Sequence, residues 1–183
     1  MKIISTSIAG VVTVETTMRT DHRGEFARLF CERELAQCIG TGHIVQVNRS
    51  LTRAVGAVRG MHYQLPPYAE TKLIRCVRGR VWDVAVDLRK ESPTFLKWTA
   101  QELSSANGLM FVVPERCAHG FQVLEPDSEL LYLHTAFYAP AAEGGISPID
   151  PAVGIAWPQP IVDLSERDRS HPQLSPDFGG IVA

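Results

Sequence analysis

Residues 72–89 read KLIRCVRGRVWDVAVDLR, and the alternation within them decides the fold class. Period-two spacing sends Trp82, Val84, Val86 and Leu88 to one side of a strand and Asp83 and Asp87 to the other. Gly79 lies between two strand-like runs and marks a tight turn. Outward from this stretch the same pattern recurs. HIVQVNRS (43–50) places Gln46, Asn48 and Ser50 on one face, suited to lining a wet cavity, with Val45 and Val47 on the other. LMFVVPE (109–115) and HGFQVL (119–124) lead into ELLYLHTAFY (129–138), where Tyr132, His134 and Tyr138 oppose Leu131, Leu133 and Phe137. Short alternating runs broken by Gly, Pro, Asn and Asp predict an all-β sandwich or barrel.

Helical signal is thin. CERELAQCI (31–39) fits two turns, and SERD (165–168) has the form of a capping box opening a short helix. APAAEGGISPIDPAVGIAWPQP (139–160) reads as an ordered, irregular covering segment anchored by Ile and Trp. The expectation is one domain, 1–183.

Hydrophobic residues make up 45% and charged residues 21%, an ordinary globular balance. A formal charge of -2 gives no broad footprint for nucleic acid or an anionic membrane, so an anionic ligand must be met locally. MKIISTSIAGVV (1–12) is a poor signal peptide and too short an apolar run to span a bilayer, so a cytoplasmic protein is expected. Cys31, Cys38, Cys76 and Cys117 lack CxxC spacing and read as reduced thiols.

The chemistry-bearing candidates are His62, Lys72, His119, Tyr132, His134, Tyr138 and Asp168, with Arg23, Arg28 and Arg59 as anion binders. Each has a plainer reading. A lone His or Tyr in a strand is more often a hydrogen-bonded structural residue. Asp168 has a specific competitor, since the fourth position of a capping box needs only a carboxylate reaching back to the Ser165 backbone. In RGMHYQ (59–64) a regular strand sends Arg59 and His62 to opposite faces, and Gly60 is where a bulge brings both toward one cavity. A metal site fails on ligand count: two residues after His62 stands Gln64, where a His-x-His cluster needs a second histidine, and no spacing favours a set of His62, His119 and Glu70.

Taken in order, DHRGEFARLF (21–30), QVNRS (46–50), RGMHYQLPP (59–67), ETKLIRCVRGRVWDVAVDLRKESPTF (70–95), VPERCAHGFQVL (113–124), YLHTAFYAP (132–140), DPAVGIAWP (150–158) and LSERD (164–168) form a specific set. Through them nearly the whole chain resembles the dTDP-4-dehydrorhamnose 3,5-epimerase family, metal-independent cupin-type jelly rolls acting on nucleotide-linked 4-keto-6-deoxy sugars. The resemblance implies His62 as general base oriented by Asp168, Lys72 at the enolate oxygen and Tyr132 as general acid. It implies Tyr138 and Phe26 at the nucleotide, Phe26 from the neighbouring subunit, and Arg23 and Arg59 at the diphosphate. Gln46, Asn48 and His119 match residues lining the sugar pocket. It further implies a dTDP-linked 4-keto-6-deoxyhexose substrate, a homodimer and no metal or other cofactor.

Three departures stand out. The segment from Ser50 to Arg59 is one residue longer than usual, Arg116 and Cys117 replace an expected Gly and Phe, and His134 is unfamiliar in the tyrosine strand. The competing readings are an epimerase inverting C3 alone, a non-catalytic sugar-nucleotide-binding cupin, and a metal-dependent cupin oxygenase or isomerase.

Overall fold

The computed structural model describes residues 1–182, which form thirteen strands and two α-helices. In chain order these are β1 (Lys2–Ser5), β2 (Val12–Glu15), β3 (Met18–Asp21), β4 (Gly24–Ala27), α1 (Glu32–Ile39), β5 (Gln46–Thr52), β6 (Val58–Gln64), β7 (Lys72–Arg78), β8 (Arg80–Asp87), β9 (Trp98–Ser104), β10 (Met110–Val113), β11 (Cys117–Val123), β12 (Ser128–His134), β13 (Glu143–Gly145) and α2 (Glu166–Ser170). Ala183, the last residue of the expected domain, lies outside the described residues. A six-stranded antiparallel sheet runs β1-β2-β10-β7-β12-β5 and a five-stranded one runs β13-β6-β11-β8-β9. The arrangement is an all-β sandwich of jelly-roll type, with β3 and β4 paired as a hairpin outside both sheets.

Gly79 takes φ +73, as a tight turn requires, but β7 and β8 do not form a hairpin. The turn carries the chain from one sheet into the other. A side chain there would meet Ser128 Oγ at 2.4 Å, so glycine is needed both for the backbone angle and for the close approach.

The alternation of β8 is explained by what lies on its two sides. Val81 and Ala85 join Ile74, Cys76, Phe111, Phe121 and Leu130 in the core between the sheets. Val84, Val86 and Leu88 face outward with Met61 and Ala118 and are covered by Ile146, Val153, Trp157, Leu174 and Phe178. The Pro- and Gly-rich segment after β12 therefore acts as a lid on the five-stranded sheet. The six-stranded sheet buries Leu73, Met110, Val112 and Leu133 under Leu35 and Ile39 of α1. Each fully buried phenylalanine, such as Phe111 or Phe121, contributes about 2–3 kcal/mol through lost apolar exposure.

Between the sheets, composition changes along the strands. On β7 the inward series Cys76, Ile74, Lys72 runs from apolar to charged, and on β12 Leu130, Tyr132, His134 follows it. On β11 Val123 and Phe121 give way to His119. One end of the sandwich is thus packed and the other is polar, and the polar end holds the site. Arg116, where the resemblance implies glycine, takes φ +62, a left-handed angle that costs an ordinary side chain about 1–2 kcal/mol.

Candidate active site

The strand β6 pairs with β11 so that His62 lies opposite His119 and Arg59 opposite Phe121. Two residues separate Arg59 from His62 while one separates His119 from Phe121, so β6 carries an extra residue at a bulge. Gly60 occupies it with φ +131, and an added Cβ would lie 2.6 Å from Gly120 Cα and 2.9 Å from the His119 carbonyl. Met61 turns into the outer core while Arg59 and His62 both line the cavity between the sheets.

That cavity is about 490 Å³ and takes His62, Arg59 and His119 from the five-stranded sheet and Asn48, Ser50, Lys72, Tyr132 and His134 from the six-stranded one. Glu70, Tyr138, Glu143, Arg167 and Asp168 also line it. His62 Nε2 meets Asp168 Oδ1 at 2.7 Å, and Asp168 Oδ2 accepts from the Gly60 amide at 3.4 Å. Only half of the expected capping box forms. Ser165 Oγ accepts from the Asp168 amide at 3.1 Å, but the carboxylate is turned to the histidine. Burial pushes the Asp168 carboxyl upward, yet its hydrogen bond with His62 and the attached charge outweigh this and hold it below the usual range. Arg167 Nε lies 3.7 Å from Asp168 Oδ1, so His62 Nε2 and Arg167 both face one carboxylate oxygen, and Arg167 Nη2 comes within 3.3 Å of His62 Nε2. His62 Nδ1 has no hydrogen-bond partner among the described residues.

On the facing sheet Tyr132 Oη and Ser50 Oγ lie 2.9 Å apart. Burial raises the Tyr132 phenol well above its ordinary value, with Ser50 opposing only in part, so the proton stays on at neutral pH. Lys72 Nζ donates to the His62 carbonyl at 3.3 Å and faces Glu70 Oε1 at 3.3 Å. The three cavity histidines each have their own carboxylate: His62 with Asp168, His119 Nε2 with Asp83 Oδ1 at 2.7 Å, and His134 Nδ1 with Glu70 Oε2 at 2.7 Å. This separates the set of His62, His119 and Glu70 that a metal would have to draw together. His171 also comes within 3.7 Å of Asp168 Oδ1, which makes His62, Asp168 and His171 a group of donors of metal-binding type. Asp83 is fully buried, and burial raises its carboxyl despite the His119 charge.

The remaining candidates divide. Asn48 and His119 line the cavity, and Tyr138 stands at its edge with Oη donating to Glu143 at 2.9 Å. Gln46 does not line it; its Oε1 accepts from the Tyr138 amide at 3.0 Å and braces that residue. Arg59 Nε donates to Thr52 Oγ1 at 2.8 Å. Arg23, Phe26 and Arg28 are not brought to this cavity within one chain. Arg23 forks onto Asp21, with Nη2 2.6 Å from Oδ2, and Arg28 pairs with Glu34. Phe26 is 72% exposed on the β3–β4 hairpin. Glu143 and Arg167, joined at 3.0 Å, were not singled out from the sequence, because they lie in irregular or short elements without periodicity.

Residues 5–176 match the family profile described as dTDP-4-dehydrorhamnose 3,5-epimerase. A dTDP-4-dehydrorhamnose 3,5-epimerase of Sinorhizobium fredii is 43% identical over 171 residues, 93% of this chain and 88% of that protein. A dTDP-6-deoxy-D-glucose-3,5-epimerase of Legionella pneumophila, solved with dTDP-4-keto-L-rhamnose, superposes with a TM-score of 0.91 at 34% identity, covering 98% of this chain and 97% of the other. A 3'-monoepimerase of Streptomyces bikiniensis, solved with dTDP-quinovose, gives a TM-score of 0.86 at 35% identity, with 93% and 86% covered. On the profile, the relatives and the shared fold, this chain belongs to the dTDP-4-dehydrorhamnose 3,5-epimerase family.

Proposed function

We propose that the protein inverts C3 and C5 of dTDP-4-dehydro-6-deoxy-D-glucose to give dTDP-4-dehydro-L-rhamnose. The observation that carries this is the placement of the His62–Asp168 pair on one sheet side and Tyr132 on the other, around a single cavity that also holds Lys72. A carbon next to a ketone is epimerised by removing its proton from one face and returning one to the other, so a base and an acid must flank the sugar.

Asp168 holds the Nε2 proton of His62 and so leaves Nδ1 as the basic nitrogen. Nδ1 takes the C5 proton, the C–H electrons become the enolate, and the C4 oxygen gains the negative charge. Lys72 meets that charge in a partly dry cavity, where a preorganised cation is most effective. Tyr132 then delivers its proton to the opposite face; once solvent has taken the proton from the His62 imidazolium and returned one to the Tyr132 phenolate, the same transfer at C3 completes the product. Asp168 steadies the imidazolium without moving a proton itself.

Arg59 and Tyr138 receive the diphosphate and nucleotide at the open side, with Asn48 and His119 around the sugar. Phe26, Arg23 and Arg28 fit this scheme as residues supplied to the neighbouring subunit of a homodimer. The exposed Phe26 on a hairpin outside both sheets supports that placement, and sedimentation analysis tests it. The whole chain is read as one domain working without a metal or redox cofactor. A cytoplasmic location is supported by the four free cysteines; among the described residues no helix is long and apolar enough to cross a membrane.

The deciding experiment is proton NMR of dTDP-4-keto-6-deoxyglucose with the protein in D₂O, with and without a chelator. Deuterium entering both C3 and C5 in either condition is expected. Entry at C3 alone would make the protein a monoepimerase. No entry with dTDP still bound would make it a binding protein or assign it another keto sugar, and chelator-sensitive exchange would return the metal reading.

A further inference from the structure

His134 is not needed as base, acid or enolate cation, yet it is buried and touches the environment of two catalytic groups. It lies directly across from Lys72 in the β12–β7 register, so both side chains share the cavity face. Between them stands Glu70, buried and shared: Oε2 meets His134 Nδ1 at 2.7 Å and Oε1 meets Lys72 Nζ at 3.3 Å. The second contact of Lys72, to the His62 carbonyl, is also 3.3 Å. Both lysine contacts are long, and a four-carbon stem held by long contacts alone has many rotamers. A carboxylate fixed by a short hydrogen bond from a strand histidine removes that freedom.

Burial pushes the Glu70 carboxyl upward, but the His134 hydrogen bond and the Lys72 charge outweigh it and keep the group ionised at neutral pH. His134 also stacks on Tyr132, with ring centroids 6.2 Å apart and planes 26° from parallel. Its tautomer is defined by its partners. With Nδ1–H donated to Glu70, Nε2 is an acceptor, and the Asn48 amide lies 3.4 Å from it.

We propose that His134 is a positioning residue for this reaction: through Glu70 it fixes where Lys72 meets the enolate oxygen, and through ring stacking it fixes the plane of Tyr132. The inference rests on the epimerase reading for its kinetic part and on the free protein for its structural part. A misplacement of the cation by a fraction of the sugar's width lowers turnover without weakening nucleotide binding, which is held by other residues.

The test uses His134→Leu, His134→Asn and Glu70→Gln in the full-length protein. His134→Leu is expected to lower kcat about 10- to 100-fold with KM within about twofold of wild type. His134→Asn restores an N–H toward Glu70 but not the ring stacked on Tyr132, and is expected to recover the part of the loss that runs through Glu70 and Lys72. Adding Glu70→Gln to His134→Leu should cost little more than Glu70→Gln alone, as for residues acting in one chain of contacts. His134→Asn as poor as His134→Leu, or His134→Leu within about twofold of wild type, would overturn the proposal. Nitrogen-15 NMR of the histidines, independent of turnover, is expected to show the Nδ1–H tautomer at His134. An Nε2–H tautomer in the wild-type protein would overturn the proposal even if the enzyme is active. A wild-type protein that catalyses no exchange at C3 or C5 overturns the epimerase reading instead, and the tautomer still decides the anchor.

Discussion

His62 and Asp168 are 106 residues apart in the chain and meet through Nε2 and Oδ1 at 2.7 Å. The second carboxylate oxygen accepts from the amide of Gly60, at the bulge that turns His62 inward. One buried carboxylate therefore binds both the ring and the backbone that aims it. This explains why Asp168 does not complete its capping box, since the bonds it makes to β6 use both oxygens.

Replacing Asp168 by Asn keeps the shape but removes the charge, and with the remaining oxygen held by the Gly60 amide the NH₂ group faces His62, so the acceptor that selects the Nε2–H tautomer is lost. The variant is expected to lose about 10²- to 10⁴-fold in the rate of deuterium entry at C3 and C5, with dTDP affinity near wild type. Exchange within about threefold of wild type would show that the carboxylate neither orients nor steadies the base.

Period-two alternation made the sandwich legible, because both faces of β8 and β12 are specified by burial on opposite sides. The same alternation grouped Gln46, Asn48 and Ser50, although Gln46 braces Tyr138 and Ser50 holds Tyr132. What sequence could not show was the pairing of partners far apart in the chain. Nothing local ties Glu70 to His134 or Glu143 to Arg167, for those contacts follow from sheet register and from where the covering segment lands. Gly79 illustrates the same gap: its turn was readable, but not that the turn crosses between sheets.

Gly60→Ala is expected to destabilise the fold and to remove activity together. The added Cβ would lie 2.6 Å from Gly120 Cα, backbone against backbone, at a φ of +131 that side chains avoid. A loss of about 2–4 kcal/mol by urea unfolding is the expected size. A fully stable and active alanine variant would mean that the bulge relaxes without moving His62.

Asp87 predicts a component of acid sensitivity. Burial raises its carboxyl, but hydrogen bonds from Arg89, Ser92 and Thr94 outweigh this and bring it from 3.8 down to about 2. A folded value below the unfolded one stabilises the protein above about pH 4, and this stabilisation is lost as pH falls toward 2. It amounts to about 2 kcal/mol. Urea unfolding of wild type and Asp87→Asn at neutral pH and near pH 2.5 should show the stability difference shrinking in acid. An equal difference at both pH values would mean that Asp87 does not titrate in this window.

Tyr132→Phe separates the two halves of the reaction. The phenol is half-buried with its proton held on, and Ser50 Oγ at 2.9 Å is its polar partner. Removing the hydroxyl takes away the group that returns a proton to the far face, but leaves His62 on β6, Lys72 on β7 and Asp168 on α2 in place. Proton abstraction should therefore continue, and the enolate should be reprotonated from the side of His62. The expected result is deuterium entering the sugar at a rate within roughly tenfold of wild type while inverted product falls about 10²-fold or more. The ratio of exchange to inversion, read from one NMR time course, is insensitive to how much protein is correctly folded. Product formation at the wild-type rate would remove Tyr132 from the acid role, and parallel loss of exchange and inversion would mean that the hydroxyl is needed for binding or for proton removal itself.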